Sequence, residues 1–210
     1  GELPKGTYSP AADDAGRRAL AAMALAYSAA AEDSPARVSA AFKAADNMTM
    51  LAATLQILVH QFPDAPETAE ALAAFEERFG DNPLVMDKWM SIQAMAPGAS
   101  TVERVIELMD HPHYNAGNPN RVRALIGAFS AGNPTAFNRP DGAGYRLLAD
   151  VVIATDPKNP QLAARLLTAM RSWRSLEAGR QEVARQALVS IQNTKKLSTD
   201  VSDIVERTLQ

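Results

Sequence analysis

Apolar residues recur along this chain at helical spacing. Leu162, Leu166, Leu167 and Met170 stand at i, i+4, i+5 and i+8, and Val183, Ala187, Leu188 and Ile191 repeat the pattern. That spacing puts them on one face of a 3.6-residue helix, whereas a half-buried strand would alternate every second residue. Alternating stretches bounded by turn signals are absent. The one short β-like run, VVIA at 151–154, lies inside a helical pattern.

The apolar segments share an opening. Asn-Pro stands at Asn82-Pro83, Asn118-Pro119, Asn133-Pro134 and Asn159-Pro160, and Ser-Pro at Ser9-Pro10 and Ser34-Pro35. An Asn or Ser side-chain oxygen accepts a bond from a backbone N–H that has no partner in a helix's first turn. Proline suits the first helical position, where its missing N–H costs nothing and its φ is already helical.

These signals predict a succession of helices. Ser9-Pro10 opens one through about Ala30, Ser34-Pro35 one through about Ala45, and Asn47 opens NMTMLAATLQILVHQF. Pro66 opens PETAEALAAFEERF, which Gly80 stops, and Asn82 opens NPLVMDKWMSIQAMA, which Pro97-Gly98 stops. Ser100 with Glu103 reads as a capping box, in which each side chain bonds the other's backbone N–H. Further helices start at Asn118, Asn133, Asp141 (DGAGYRLLADVVIAT) and Asn159 (through NPQLAARLLTAMRSWRS). A long segment, LEAGRQEVARQALVSIQNT, follows, and Ser198 caps the last helix. Short loops make consecutive helices antiparallel neighbours. Two helices and their loops in about 35–45 residues is the size of a helical-repeat unit. The fold class expected is therefore all-α: an α-α superhelix, an irregular HEAT- or armadillo-like solenoid of about ten to twelve short antiparallel helices. Such stacks offer a concave surface.

Composition narrows the possibilities. The 210 residues are 47% hydrophobic and 21% charged, which suits a packed core rather than a disordered chain. A net charge of -3 argues against a nucleic-acid partner, which calls for a basic face. There are no cysteines, which removes disulfides, thiolate metal sites and a cysteine nucleophile, and fits a reducing compartment. No apolar run approaches the roughly 18 residues of a membrane span. The start, GELPKGTYSP, has neither a charged nor an apolar signal region, and its first residue is not Met, as in a piece cut from a longer protein.

Catalytic signatures are missing: HExxH, GxSxG, a phosphate loop and GxGxxG before a strand are all absent. His60, near a helix end, reads as a capping or internally satisfied histidine. His111-Pro-His113 is a lone H-x-H in a polar loop and weak grounds for a metal. Asp13-Asp14 and Glu76-Glu77 are neighbours about 100° apart on a helix, so neither pair forms a carboxylate dyad. Trp89, in VMDKWM, reads as an aromatic core anchor. Gly142 and Gly144 in one expected helical turn point either to close helix packing or to room for a ligand. The arginines carry more. Arg121 and Arg123 are two apart on one helix and point to nearly opposite sides, so one of them can face a given cleft. Arg165 lies on the flank of an apolar stripe. Either such a guanidinium is simply solvated, or it grips a carbonyl or carboxylate with a forked contact.

Four segments carry a resemblance to a known family: DNMTMLAATL (46–55), NPLVMDKWMSIQA (82–94), NPNRVRALIGAFSAGNPTAFNRPDGAGY (118–145) and NPQLAARL (159–166). Together, and in order from about Ser9 to the end, the chain resembles the C-terminal domain of bacterial aminopeptidase N, a zinc metallopeptidase of the gluzincin class. The resemblance implies a helical superhelix over residues 9–210, with 1–8 leading in from a preceding domain. It implies a cytoplasmic enzyme whose zinc ligands, glutamate base and amine-binding motif lie in other domains, so no catalytic or metal residue is expected here. It implies that the helical domain closes over the catalytic domain of the same polypeptide, limits entry to small peptides and contacts the substrate through arginines at the positions of Arg123 and Arg165. Two other readings remain open on the residues themselves: a free-standing helical-repeat module that binds a peptide or protein, and a complete hydrolase built on His111 and His113.

Overall fold

The computed structural model describes residues 8–210, and its regular structure there is helical throughout, with no strand among the described residues. The expected lead-in, residues 1–8, lies outside the described residues apart from Tyr8. The chain divides into two compact units, meeting in sequence at Ala96 and Pro97. The first holds α1 (Ala12–Glu32), α2 (Ala36–Ala44), α3 (Met48–Gln61), α4 (Pro66–Phe79) and α5 (Pro83–Ala94). The second holds α6 (Thr101–Met109), α7 (Pro119–Val122), a π-helical turn (Arg123–Gly127), α8 (Ala128–Gly132), α9 (Pro134–Phe137), α10 (Ala143–Thr155) and α11 (Pro160–Leu167). Two 3₁₀ turns (Thr168–Met170 and Trp173–Ser175), α12 (Ala178–Gln192) and α13 (Thr199–Leu209) complete it. Because α7, the π turn and α8 form one continuous rod, the thirteen α segments among the described residues make twelve rods.

The asparagine caps form as the sequence predicts. Asn47, Asn82, Asn118, Asn133 and Asn159 each accept a bond from a backbone N–H two or three residues on, at 2.9–3.3 Å. Ser198 does the same for Val201 at 3.2 Å. The capping box at Ser100 does not form. Ser100 already has helical dihedrals (φ -70, ψ -7) and makes no side-chain cap bond. Its intended partner Glu103 instead accepts from Arg139 at 2.8 and 2.9 Å. A two-oxygen contact with a guanidinium is stronger than a return bond to one backbone N–H.

Other boundaries shift by small amounts. Ser9 and Ser34 accept from Ala11 and Ala36, so α1 and α2 begin past their prolines, at Ala12 and Ala36. α1 runs to Glu32 and is stopped by Asp33 in the left-handed region, at φ 48. Gly142, expected inside a helix, precedes it at φ 73, while Asp141 accepts from the Ala143 N–H at 3.1 Å. The segment opened by Asn159 leaves α-geometry at Leu167 and tightens into the two 3₁₀ turns.

In the first unit α3 is the hub and packs against α1, α2, α4 and α5. Seven of its residues, Met50, Leu51, Thr54, Leu55, Ile57, Leu58 and Val59, are buried, as an element surrounded on most sides requires. Trp89 is the anchor expected: it is buried, and its indole N–H donates to the Leu72 carbonyl at 3.1 Å. In the second unit α10 is the hub and packs against α6, α9, α11 and α12. Phe129, Phe137 and Tyr145 stack edge to face at 5.8 and 5.2 Å between ring centres. The Tyr145 hydroxyl donates to Asn138 at 2.8 Å. Gly144 serves packing: a Cβ there would lie 2.3 Å from the Phe137 carbonyl oxygen. α13 is tied down by the indole N–H of Trp173, which donates to the Thr208 carbonyl at 2.8 Å, and by the buried Asp156 carboxylate, which accepts from the Ser198 N–H at 2.8 Å and from its hydroxyl. Among the described residues, no helix is long and apolar enough to cross a membrane.

Candidate functional site

The rod that begins at Asn118 carries two arginines with opposite fates. Arg121 is buried and Arg123 is exposed. This is the separation expected of residues two apart on a helix. At Arg123 the rod widens: the Ala128 N–H donates to the Arg123 carbonyl five residues back, the bond of a π turn. Such turns are rare and are found mostly as single bulges inside α-helices, frequently at functional sites. Here the turn packs against α11, the helix carrying Arg165. Two positions 42 residues apart in sequence thereby come to one place (165 − 123 = 42).

Arg123 and Arg165 line a single cleft of about 450 Å³, whose walls include Gly127, Ser130, Leu166 and Ala169. Its polar groups are mostly spoken for. The Ser130 hydroxyl donates to the Ile126 carbonyl at 2.8 Å, and the Thr168 hydroxyl to the Arg165 carbonyl at 2.6 Å. The charged residues on its walls are Arg123 and Arg165. Arg123 donates to the Asn120 side-chain oxygen at 3.2 Å. Among the described residues, neither arginine has a carboxylate partner. No acidic side chain among the described residues lines the cleft. Two positive forks over an apolar wall suit an anionic or carbonyl-rich ligand, since a guanidinium offers planar paired donors and no acceptor. The same donor set repels a cation, so this cleft does not suit a metal ion. Gly127 leaves its floor open, and a Cβ there would meet only ordinary contacts, 3.7 Å from Arg123 Cβ and 3.9 Å from Leu166 Cδ2.

The remaining sequence candidates have local partners. His60 Nε2 lies 2.9 Å from the Ile92 carbonyl oxygen, and burial lowers the pKa of its ring against the opposing effect of that bond. Asp14 pairs with Arg17 at 2.6 Å, which pulls its carboxyl below the usual range. His111 and His113 stack with ring centres 5.1 Å apart, and the His113 N–H donates to His111 Nδ1 at 3.3 Å.

Sequence reasoning did not find a second, larger cleft of about 520 Å³ beside α6, α10 and α11. Its walls are largely apolar, from Ile106, Met109, Leu147 and Val151, with Tyr114 at the side, and burial pushes the Tyr114 hydroxyl pKa up. Leu162 lines both clefts, so α11 stands between them. The only signal in the sequence was Ile106 on the outer side of an otherwise amphipathic helix.

An all-helical chain built of short capped rods, with a cationic cleft, belongs by fold to the class of α-α superhelices. The comparisons agree. A family model described as "Domain of unknown function (DUF3458_C) ARM repeats" matches residues 2–210. Aminopeptidase N of Caulobacter vibrioides is 38% identical over 207 residues, 97% of this chain and 24% of that protein. Aminopeptidase N of Escherichia coli K12 is 36% identical over 172 residues, 82% of this chain and 20% of that protein. A crystal structure of Legionella pneumophila aminopeptidase A in complex with aspartic acid superposes with a TM-score of 0.87 at 30% identity, over 98% of this chain and 25% of that one. The chain belongs to this ARM-repeat family, that of the C-terminal helical domain of aminopeptidase N. It spans a quarter or less of the length of these relatives.

Proposed function

We propose that this chain is the access-controlling, substrate-contacting domain of a cytoplasmic, zinc-dependent aminopeptidase N that removes N-terminal residues from peptides. In this reading residues 9–210 form the helical domain, residues 1–8 lead in from the domain before, and the zinc and its ligands lie elsewhere in the polypeptide. The helical domain caps the active-site cavity, excludes folded proteins and admits small peptides. The carrying observation is that Arg123 and Arg165, singled out in separate segments, line one cleft that lacks acidic side chains.

Zinc in the parent enzyme supplies carbonyl polarisation and an activated water. The residues of this chain supply grip. A peptide has its carbonyls and its terminal carboxylate beyond the scissile bond, and the two guanidinium groups offer forked donors to them. Holding the far end fixes the near end, and a reacting group held in line needs less activation. The chain alone carries no hydrolytic machinery in this reading and is inactive when separated from its parent.

The test uses the intact parent enzyme on alanyl peptides and on alanyl-p-nitroanilide. A charge-assisted hydrogen bond contributes about 1.5–3 kcal/mol. Arg123→Ala or Arg165→Ala should therefore lower kcat/KM on tri- and tetrapeptides by about 10- to 100-fold, and leave the small amide within about threefold. Equal losses on both substrates would contradict a distal grip. Turnover by the isolated 210-residue chain, with stoichiometric zinc, would defeat the reading altogether.

A further inference from the structure

Helix α1 carries an apolar face that nothing among the described residues covers. Leu20, Met23 and Tyr27 are 71%, 57% and 72% exposed, and they stand at i, i+3 and i+7, in one stripe. The opposite side of the helix is the core side, where Ala29 is fully buried. Single exposed apolar residues are ordinary, but an aligned set of large ones is not. Beside the stripe, α1 and α2 leave a groove of about 330 Å³ lined mostly by small apolar residues, Ala21, Ala24, Ala40, Ala41 and Ala44 among them, with Ser28 and Arg37 also on its walls. The neighbouring charges are already paired within the chain: Arg17 with Asp14 at 2.6 Å and Arg37 with Glu32 at 2.7 Å. The face offers its occupant mainly apolar contact, with the Ser28 hydroxyl and the Glu32-paired Arg37 on the groove wall.

We infer that a helix from the part of the polypeptide that precedes this chain lies along α1 and in the groove beside it, adding one more unit to the stack and so extending the helical domain N-terminally beyond the boundary at residue 9 given above. The inference rests on the reading of this chain as one domain of a longer polypeptide. ARM-type units bury their apolar faces against their neighbours, and a true end unit needs a polar outer face to remain soluble. The outer face of α1 is the reverse. Small side chains between two helices let the ridge of a third approach closely, which suits a helix better than a strand or a loop. The supply of chain is sufficient, since residues matching this protein make up 24% of the Caulobacter relative and about three quarters of such a polypeptide lies outside them. A second copy fits less well. A stable dimer needs about 800 Å² from each partner, more than three side chains and a short groove present. A tethered segment needs less, because its effective concentration is on the order of millimolar.

The experiment places the photo-crosslinker p-benzoylphenylalanine at position 27 of the intact parent polypeptide. An equal mixture of light- and heavy-isotope protein is irradiated and digested, and the linked peptides are read by mass spectrometry. The expected product joins Tyr27's position to an α-helical segment N-terminal to this chain, light to light and heavy to heavy. Mixed light–heavy products would mean a second copy and would overturn the inference. So would links to a strand, links confined to residues 8–210, or a probe that reacts only with solvent. Leu20→Glu combined with Met23→Glu gives an independent readout. It should lower the parent's unfolding midpoint by about 5 °C or more and leave that of the 210-residue chain within about 2 °C. Equal shifts in both proteins would refute the inference, because the face would then be part of this chain's own core. Turnover of alanyl-p-nitroanilide by the same samples reports separately on the enzymatic reading, so the two can fail independently.

Discussion

Adding one methyl group to a helix should have opposite consequences at two glycines of this chain. Gly144 lies in α10 and Gly16 in α1, and both are helical glycines to which Ala is preferred by about 1 kcal/mol on propensity alone. At Gly16 a Cβ would meet nothing within 4 Å. Gly16→Ala should therefore stabilise by about 0.5–1 kcal/mol. At Gly144 the same atom would lie 2.3 Å from the Phe137 oxygen and 2.9 Å from the Phe137 carbonyl carbon and Cα. Ordinary contact between such atoms is about 3.5–4.0 Å. These are backbone atoms, which cannot rotate aside, so α9 and α10 would have to part by about 1 Å. Overpacking of this kind costs about 1–3 kcal/mol and sometimes more. A rigid backbone belongs at the upper end of that range, about 2–3 kcal/mol, and subtracting the propensity gain leaves Gly144→Ala destabilised by about 1–2 kcal/mol. For a domain of this size the midpoint shift is about 2–4 °C per kcal/mol, so the midpoint of thermal unfolding followed by circular dichroism should fall by about 2–8 °C. A Gly144→Ala protein as stable as the parent sequence would refute the close approach of α9 to α10, and with it the packing account of this glycine. A Gly16→Ala protein that loses stability would show that the helix propensity argument does not apply to α1.

Asn159 caps the helix that carries Arg165, accepting from the Leu162 N–H at 3.0 Å, and Asn159→Ala should cost about 1 kcal/mol in urea unfolding, with an unchanged midpoint as the contrary result. The Asp141 carboxyl is held at about 2, below its usual 3.8, chiefly by its hydrogen bond from Arg139 and then by the Ala143 N–H. A carboxyl whose folded value is depressed adds stability above its unfolded value and loses it as pH falls. The window is thus from about pH 4 down to about pH 2. The group is half exposed and screened by solvent, so the effect is modest, but Asp141→Asn should make the decline of the unfolding midpoint over that window shallower at low salt. Parallel curves would contradict it.

What the sequence disclosed and what it concealed divide along the range of the interactions. Asn47, Asn82, Asn118, Asn133 and Asn159 were all legible as caps, because a cap bonds a backbone N–H within three residues and needs nothing distant. The all-α class followed from the spacing of the apolar residues. The failures came from partners far away in sequence. Ser100 and Glu103 spell a capping box, yet Arg139 takes Glu103 from 36 residues off. Gly142 reads as helical, yet it stands outside α10 at φ 73, where Val183 would crowd a Cβ at 2.7 Å. The second cleft left only the outward Ile106 as a trace, since its walls come from α6, α7, α10 and α11 and the loops between them.

The cationic cleft lies between these cases. Each of its arginines was conspicuous in its own motif, but nothing local placed them together. The π turn gives the physical link. In a regular helix each residue advances about 100°, so one extra residue in a turn rotates everything beyond it relative to everything before. Arg123 stands at the first position of that turn, after the cap set by Asn118 and before the apolar face of Leu125, Ile126 and Phe129 turns into the core. The bulge thus lets one rod keep Arg121 inside, seat its second half against α11 and leave Arg123 on the cleft. The hydroxyls that could have solvated an incoming ligand, on Ser130 and Thr168, bond helix carbonyls instead. With those protons spent, the donors left to a ligand are the guanidinium groups, while each hydroxyl keeps only acceptor lone pairs. A ligand must bring the acceptors itself, and a peptide's carbonyls and carboxylate do so along its whole length.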